Sequence, residues 1–140
     1  MKNLLLIFLS IFCGLLFGSI INMSIIEVGN SMVTLPEGTD NSSVEGIKKT
    51  IHLFQFKHFI TPLLAHSLGS LTGGVVAAWM APINKLLIAI MIGVFFMIGG
   101  TVMVFQLHSP IWFNIIDLTF AYLPMAWIGH KMYFKFIAKN

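Results

Sequence analysis

The chain has no arginine, one cysteine and little charge of either sign. Charged residues are 9% of its 140, and all eight basic residues are lysines. Without a guanidinium there is no bidentate reader of base edges, which argues against a nucleic-acid partner. Planar, two-point clamping of a phosphate or carboxylate is lost as well. A lone Cys13 excludes an intrachain disulfide and a thiolate metal cage. Because it lies in an apolar run, it is expected to be a buried, inert thiol. Most glycines fall within apolar runs, so no phosphate-cradling loop is expected and no cofactor motif is present.

Hydrophobic residues make up 57% and the mean hydropathy is +0.91. Soluble domains are about 25% charged, so this composition places the chain in a membrane. Its length suits one domain, residues 1–140. The organising stretch is Thr61 to Ala81, long enough to cross a bilayer. At about 100° per residue, Pro62, His66, Ser70, Gly73 and Ala77 share a narrow stripe, flanked by Gly69 and Gly74. Leu64, Leu68, Leu71, Val75 and Trp79 take the opposite face. Small residues admit neighbouring helices and bulky ones meet acyl chains, so this is expected to be the central helix of a bundle.

Asn3 to Ile26 reads as the first crossing. Met1-Lys2 before an apolar run resembles a signal peptide, but the run exceeds the ~7–15 residues of a secretory h-region. Leu16-Phe17-Gly18 is a poor cleavage site, and Ser10-Ile11-Phe12 before Cys13 is too bulky for lipoprotein processing, so a retained helix is expected. Ser10, Gly14, Gly18 and Asn22 recur every fourth residue as a close-packing stripe, facing another helix of this chain or of a second copy.

Residues 27–59 form the one long polar region. Gly29, Asn30, Pro36, Glu37, Gly38 and Asp40 predict a loop. Ser42-x-x-Glu45 predicts a capping box opening an amphipathic helix over 43–56. Its apolar face is Val44, Ile47, Ile51 and Phe54, and its polar side carries Glu45, Lys48, Lys49 and His52. Too short and polar to cross, it is expected to lie along the interface. Thr61-Pro62 reads as N-cap and first turn of the second crossing, or else the two helices run together with a kink at Pro62. The crossings are then about 3–26, 60–81, 86–105 and 111–134, the last kinked at Pro124. Ala89, Gly93 and Gly100 form the small face of the third, and Trp112, Trp127, Lys131 and Tyr133 suit headgroup depth on the fourth. The predicted fold is an all-α integral membrane four-helix bundle with one interfacial amphipathic helix between crossings one and two.

Lys2, Lys85, Lys131, Lys135 and Lys139 fall on the side of both termini, and Lys48, Lys49 and Lys57 on the other. By the positive-inside rule the termini are cytoplasmic and the polar loop faces outward, in a bacterial inner membrane. His66, Asp117, Asn22 and Asn114 then share one layer roughly 6–10 Å below the outer surface, counting ~1.5 Å per residue. Asp117 is the one acid within a crossing and needs a partner; His66 is nearest in depth. Three readings stand open. The layer is a hydrogen-bonded network fixing helix packing; or a carboxylate–histidine pair for proton relay or acid/base work; or a metal site drawn from Glu27, His58, His66, His108 and Asp117. No pair of these has the spacing that presets a metal site on one helix. Gly14, Gly18, Gly69, Gly73, Gly93 and Gly100 are the expected helix-packing positions.

Three stretches, LPEGTD, FITPLLAHSLGSLTGGVVAAWMA and PIWFNIIDLTFAYLPMAWIG, resemble a small bacterial family of four-crossing membrane proteins with no assigned function. The resemblance covers most of the chain after Asn22 and implies an inner-membrane protein; it carries no activity. Glutathione-linked membrane enzymes of this size use arginine for their thiol peptide, and this chain has none. The expected role is an accessory or interaction subunit whose partners are the lipid bilayer, a second copy or another membrane protein. The alternative is a proton-coupled transporter or membrane enzyme using Asp117 and His66.

Overall fold

A computed structural model describes residues 2–138; Met1 and Lys139, which entered the readings above, lie outside the described residues. It is all-helical, with no strand among the described residues. The elements in order are α1 (Lys2–Met32), α2 (Val44–Thr50) with a 3-10 turn (Ile51–Leu53), α3 (Phe56–Met80), α4 (Lys85–Leu107), α5 (Ile111–Phe120) and α6 (Leu123–Met132), the last continued by a π turn (Tyr133–Ile137). Four stretches are long and apolar enough to cross a membrane: Lys2–Met32, Phe56–Met80, Lys85–Leu107 and Ile111–Ile137. They suggest a multi-pass membrane protein.

α3 is the hub, packed against α1, α4, α5 and α6. Its buried positions include Ala65, Gly69, Ser70, Gly73, Gly74, Ala77 and Ala78, while Leu64, Leu68 and Trp79 are exposed. The polarity of packing is thus the reverse of a soluble domain's. Small residues fill the interior, and Phe105 and Ile111 are 75% and 77% exposed. The closest approaches are glycine to backbone. A Cβ on Gly73 would lie 2.8 Å from the Gly14 carbonyl oxygen, and one on Gly14 2.9 Å from that of Gly73. Gly18 and Gly69 repeat the reciprocal contact one turn on. Across α3, Gly74 meets the Ala126 carbonyl of α6, while Gly93 of α4 lies against Tyr122 and Ala126.

Several boundaries differ from the expected ones. α1 continues past residue 26 to Met32 because Gly29 lets it rest directly on Thr61 of α3. α3 begins at Phe56 rather than at 60, with Gln55 as N-cap and His58 accepting from the Gln55 N–H. Pro62 therefore lies inside the helix rather than at its first turn. The amphipathic helix is cut to 44–50 by the 3-10 turn at 51–53. Its N-cap is Ser43, which accepts from the Gly46 N–H at 3.0 Å, because Ser42 is drawn away to Asp40. Those two Ser42 hydrogen bonds, side chain first, hold the Asp40 carboxyl below its ordinary value. The order they give this loop is present above the unfolded carboxyl's pKa and is lost as pH falls through the lowered folded one. Ile47 and Ile51 turn inward, but Val44, expected on the same face, is exposed.

At the other end Lys85 closes the α3–α4 turn. Its ammonium donates to the carbonyls of Ala78 (2.8 Å) and Ala81 (2.6 Å) and sits 4.8 Å from the Tyr133 ring centroid. A cation here satisfies free carbonyls at the negative end of α3. The last of the four long apolar stretches is interrupted rather than bent. α5 stops at Phe120 and α6 restarts at Leu123, with Tyr122 at φ −113° and ψ −80° between them. Pro124 in the first turn of α6 explains the break, since it has no N–H for the preceding turn and crowds the carbonyl there.

Candidate functional site

That break builds the site. In a continuous helix, positions five apart point about 140° away from each other. The interruption instead turns Tyr122 back over Asp117, and its hydroxyl donates to Asp117 Oδ2 at 2.7 Å. His66, from the small face of α3, donates through Nδ1 to Asp117 Oδ1 at 2.8 Å. The Tyr122 oxygen lies 2.9 Å from the same nitrogen, and the two rings stack with centroids 5.5 Å apart. Asp117 and Tyr122 are each 2% exposed. Both carboxylate oxygens are thus occupied by groups of the chain itself. Gly100 of α4 makes room for the group, since a Cβ there would strike the Tyr122 hydroxyl.

The arrangement sets the histidine tautomer. A carboxylate accepts and does not donate, so Nδ1 carries a proton, and in the neutral tautomer that fits this bond Nε2 is the acceptor. Among the described residues nothing bonds to Nε2, and the His66 side chain is 22% exposed. His66 borders two hollows. The first is a cavity of ≈ 290 Å³ walled by α1, α2, α3, α4 and α5, into which Ile47, Phe54, Phe59, Met103 and Phe113 bring apolar surface. Asp117 and Asn114 line it too. Asn114 donates through Nδ2 to the Ser109 carbonyl at 3.0 Å, which fixes the amide's orientation and leaves its buried Oδ1 without a partner. The second is a recess of ≈ 430 Å³ bordered by fewer walls, among them Asn22, Phe96 and Gly99.

Of the four polar-layer residues read from sequence, His66 and Asp117 are bonded to each other. Asn114 shares the cavity with them, and Asn22 meets His66 only across the recess. Tyr122 was not foreseen; the signal for it was Pro124, two residues on. The wider set of Glu27, His58, His66, His108 and Asp117 does not converge. No group of three or more His, Cys, Asp or Glu could hold a metal ion among the described residues. His58 lines the cavity, but both its nitrogens are engaged: Nδ1 accepts from Gln55 N–H, so Nε2 carries the proton and donates to the Thr34 carbonyl at 3.2 Å. It pins the 33–43 loop to the start of α3. His108 caps α4 in the left-handed region (φ 55°), and Glu27 is exposed on α1.

What this arrangement can do chemically is bind and accept. An imidazole oriented through Nδ1 by a buried carboxylate, its Nε2 bare beside an apolar cavity, is equipped to take a hydrogen bond or a proton from a bound molecule. Compared with known protein families, curated proteins and solved structures, the chain matches none of them.

Proposed function

We propose that this is a multi-pass membrane protein that binds a small, largely apolar molecule in the ≈ 290 Å³ cavity, with His66 as the polar contact and Asp117 and Tyr122 as its positioning residues. One observation carries the reading: an apolar cavity whose wall includes an oriented, otherwise unbonded imidazole nitrogen. Apolar hollows with a few convergent polar groups are the usual form of small-molecule sites. The chain sits in the membrane as a four-helix bundle, supported by its exposed apolar exterior and small-residue core. The lysine distribution supports cytoplasmic termini, and in that orientation the cavity opens toward the outer leaflet beneath the interfacial α2 segment. A bacterial inner membrane is the setting this implies.

A second reading has its own support: an interaction subunit whose polar layer only fixes helix packing. Asp117 and Tyr122 are fully paired within the Asp117–His66–Tyr122 group, as in a purely structural clasp. A thermal-shift screen against apolar metabolites, quinones and lipids separates the two, with Val104→Trp as the cavity-filling control, because Val104 lines the cavity. A ligand at a hundred times its Kd stabilises by about 2.7 kcal/mol. The binding reading expects such a shift in the parent and its loss in Val104→Trp. If no compound shifts the parent, and His66→Phe and Asp117→Asn merely melt earlier, the clasp reading stands instead.

A further inference from the structure

We propose that the cavity fills from the bilayer, through the recess between α1 and α4, so that its occupant is a molecule dissolved among acyl chains and not one taken from water. The proposal rests on the binding reading above and adds the source and route of the ligand. α1 and α4 touch over one stretch and part beyond it. A Cβ on Gly14 would lie 2.9 Å from Ile92 Cδ1, and one on Gly18 2.8 Å from the Phe96 ring. One turn further along, Asn22 of α1 borders the recess, and across it a Cβ on Gly99 would meet nothing within 4 Å. Gly99 and Val102 are exposed, whereas Gly100 and Tyr122 on the inner wall are buried. The recess is therefore a slot leading inward from the side of the bundle to His66.

Depth and the partition between the hollows both favour this route. Met32, the end of α1, is the tenth residue after Asn22, and His66 is the tenth after Phe56, the start of α3. At ~1.5 Å per residue the slot lies about 15 Å along each helix, half of the ~30 Å hydrocarbon thickness. It opens among acyl chains and not among headgroups. The other end of the cavity is rimmed by exposed Asn30 and Asn41 and faces the polar segment. An apolar molecule partitions out of water into the bilayer, so the slot meets the ligand where it is concentrated. Only His66, Gly100 and Met103 line both hollows. Gly100 has no side chain, and the His66 ring is held by Asp117 and stacked on Tyr122. The movable part of the partition is Met103, an unbranched, flexible chain. A rotamer change there joins the hollows without moving a helix.

The test measures entry in the full chain in lipid nanodiscs, with Cys13→Ser as background and one thiol placed in the cavity by Phe113→Cys. Phe113 lines the cavity and is 7% exposed. Two thiol reagents are compared: N-dodecylmaleimide, which resides in the bilayer, and a trimethylammonium methanethiosulfonate, which stays in water. The bilayer reagent is expected to label the cavity thiol. Gly99→Trp, which narrows the slot, should slow it about tenfold, or ~1.4 kcal/mol on the entry barrier. Met103→Ala, which removes the partition, should speed it. Ratios between variants cancel the thiol's own reactivity. The water-confined reagent should label a thiol at exposed Val44→Cys and not the one in the cavity. Thr61→Cys, a near-isosteric change on the cavity wall, replaces Phe113→Cys if that variant does not fold. Labelling by the bilayer reagent that either Gly99→Trp or Met103→Ala leaves unchanged overturns the route, as does labelling of the cavity thiol from water. A cavity that admits small molecules would remain in both cases. A cavity thiol that neither reagent reaches overturns the route and the binding reading together.

Discussion

Replacing Asp117 by alanine is expected to destabilise the protein by about 2–4 kcal/mol, from one buried donor left without an acceptor and the space its side chain vacates. His66 Nδ1–H and the Tyr122 hydroxyl both donate to the carboxylate; without it Nδ1–H still reaches the Tyr122 oxygen at 2.9 Å, and the hydroxyl is the donor left over. The upper end is tempered because helices separated within a membrane still find other partners, so measured intramembrane hydrogen bonds average only ~0.6 kcal/mol. Asp117→Asn should cost less, since it fills the same space and its amide oxygen still accepts from His66, although its nitrogen cannot accept from the Tyr122 hydroxyl. Tyr122→Phe removes one donor and leaves the His66 bond in place, and should be milder than the alanine. Unfolding titrations from mild detergent into a denaturing one give the ranking. Equal losses for alanine and asparagine would mean that the hydrogen bonds carry little of the stability.

The second large effect is at the α1–α3 contact. Gly73→Leu should cost 3 kcal/mol or more, beyond the ~1–3 kcal/mol usual for overpacking. Even a bare Cβ there would lie 2.8 Å from both the Gly14 carbonyl oxygen and Ile92 Cγ2. The first is main chain and cannot swing away, and Ile92 is itself fully buried. Leucine would therefore have to lift α1 off the hub. Gly99 supplies the control, because nothing lies within 4 Å of a Cβ built on it. Gly99→Ala should raise stability by up to ~1 kcal/mol, the helix-propensity gain alone. Thermal unfolding of the three proteins side by side decides whether close backbone approach or helix propensity governs these glycines.

How much of this was legible in the sequence follows the same geometry. Helical periodicity placed the small stripe of Thr61–Ala81, and with it the hub and the inward His66, since a 100° repeat needs no knowledge of partners. Depth counting paired His66 with Asp117 because both are set by distance from a helix end. Tyr122 was hidden because a regular helix points it away from Asp117, and only the interruption ahead of Pro124 turns it back. The start of α3 was misplaced for a related reason. Gln55 and His58 cap each other's turn, a weaker pattern than Thr61-Pro62, and proline is tolerated near the beginning of a helix as well as at its first position. The cavity itself depends on how far the 33–55 segment folds back over the helices. That is tertiary packing with no local signature.

The central claim is that Asp117 holds the His66 proton on Nδ1 and leaves Nε2 bare beside the cavity. The most direct test is the ¹⁵N solid-state NMR spectrum of ring-labelled histidine in bilayers at neutral pH, with His66 assigned by its loss in His66→Phe. The account predicts one protonated and one unprotonated ring nitrogen, the protonated one Nδ1. A His66 ring protonated at Nε2, whether or not Nδ1 also carries a proton, would contradict it.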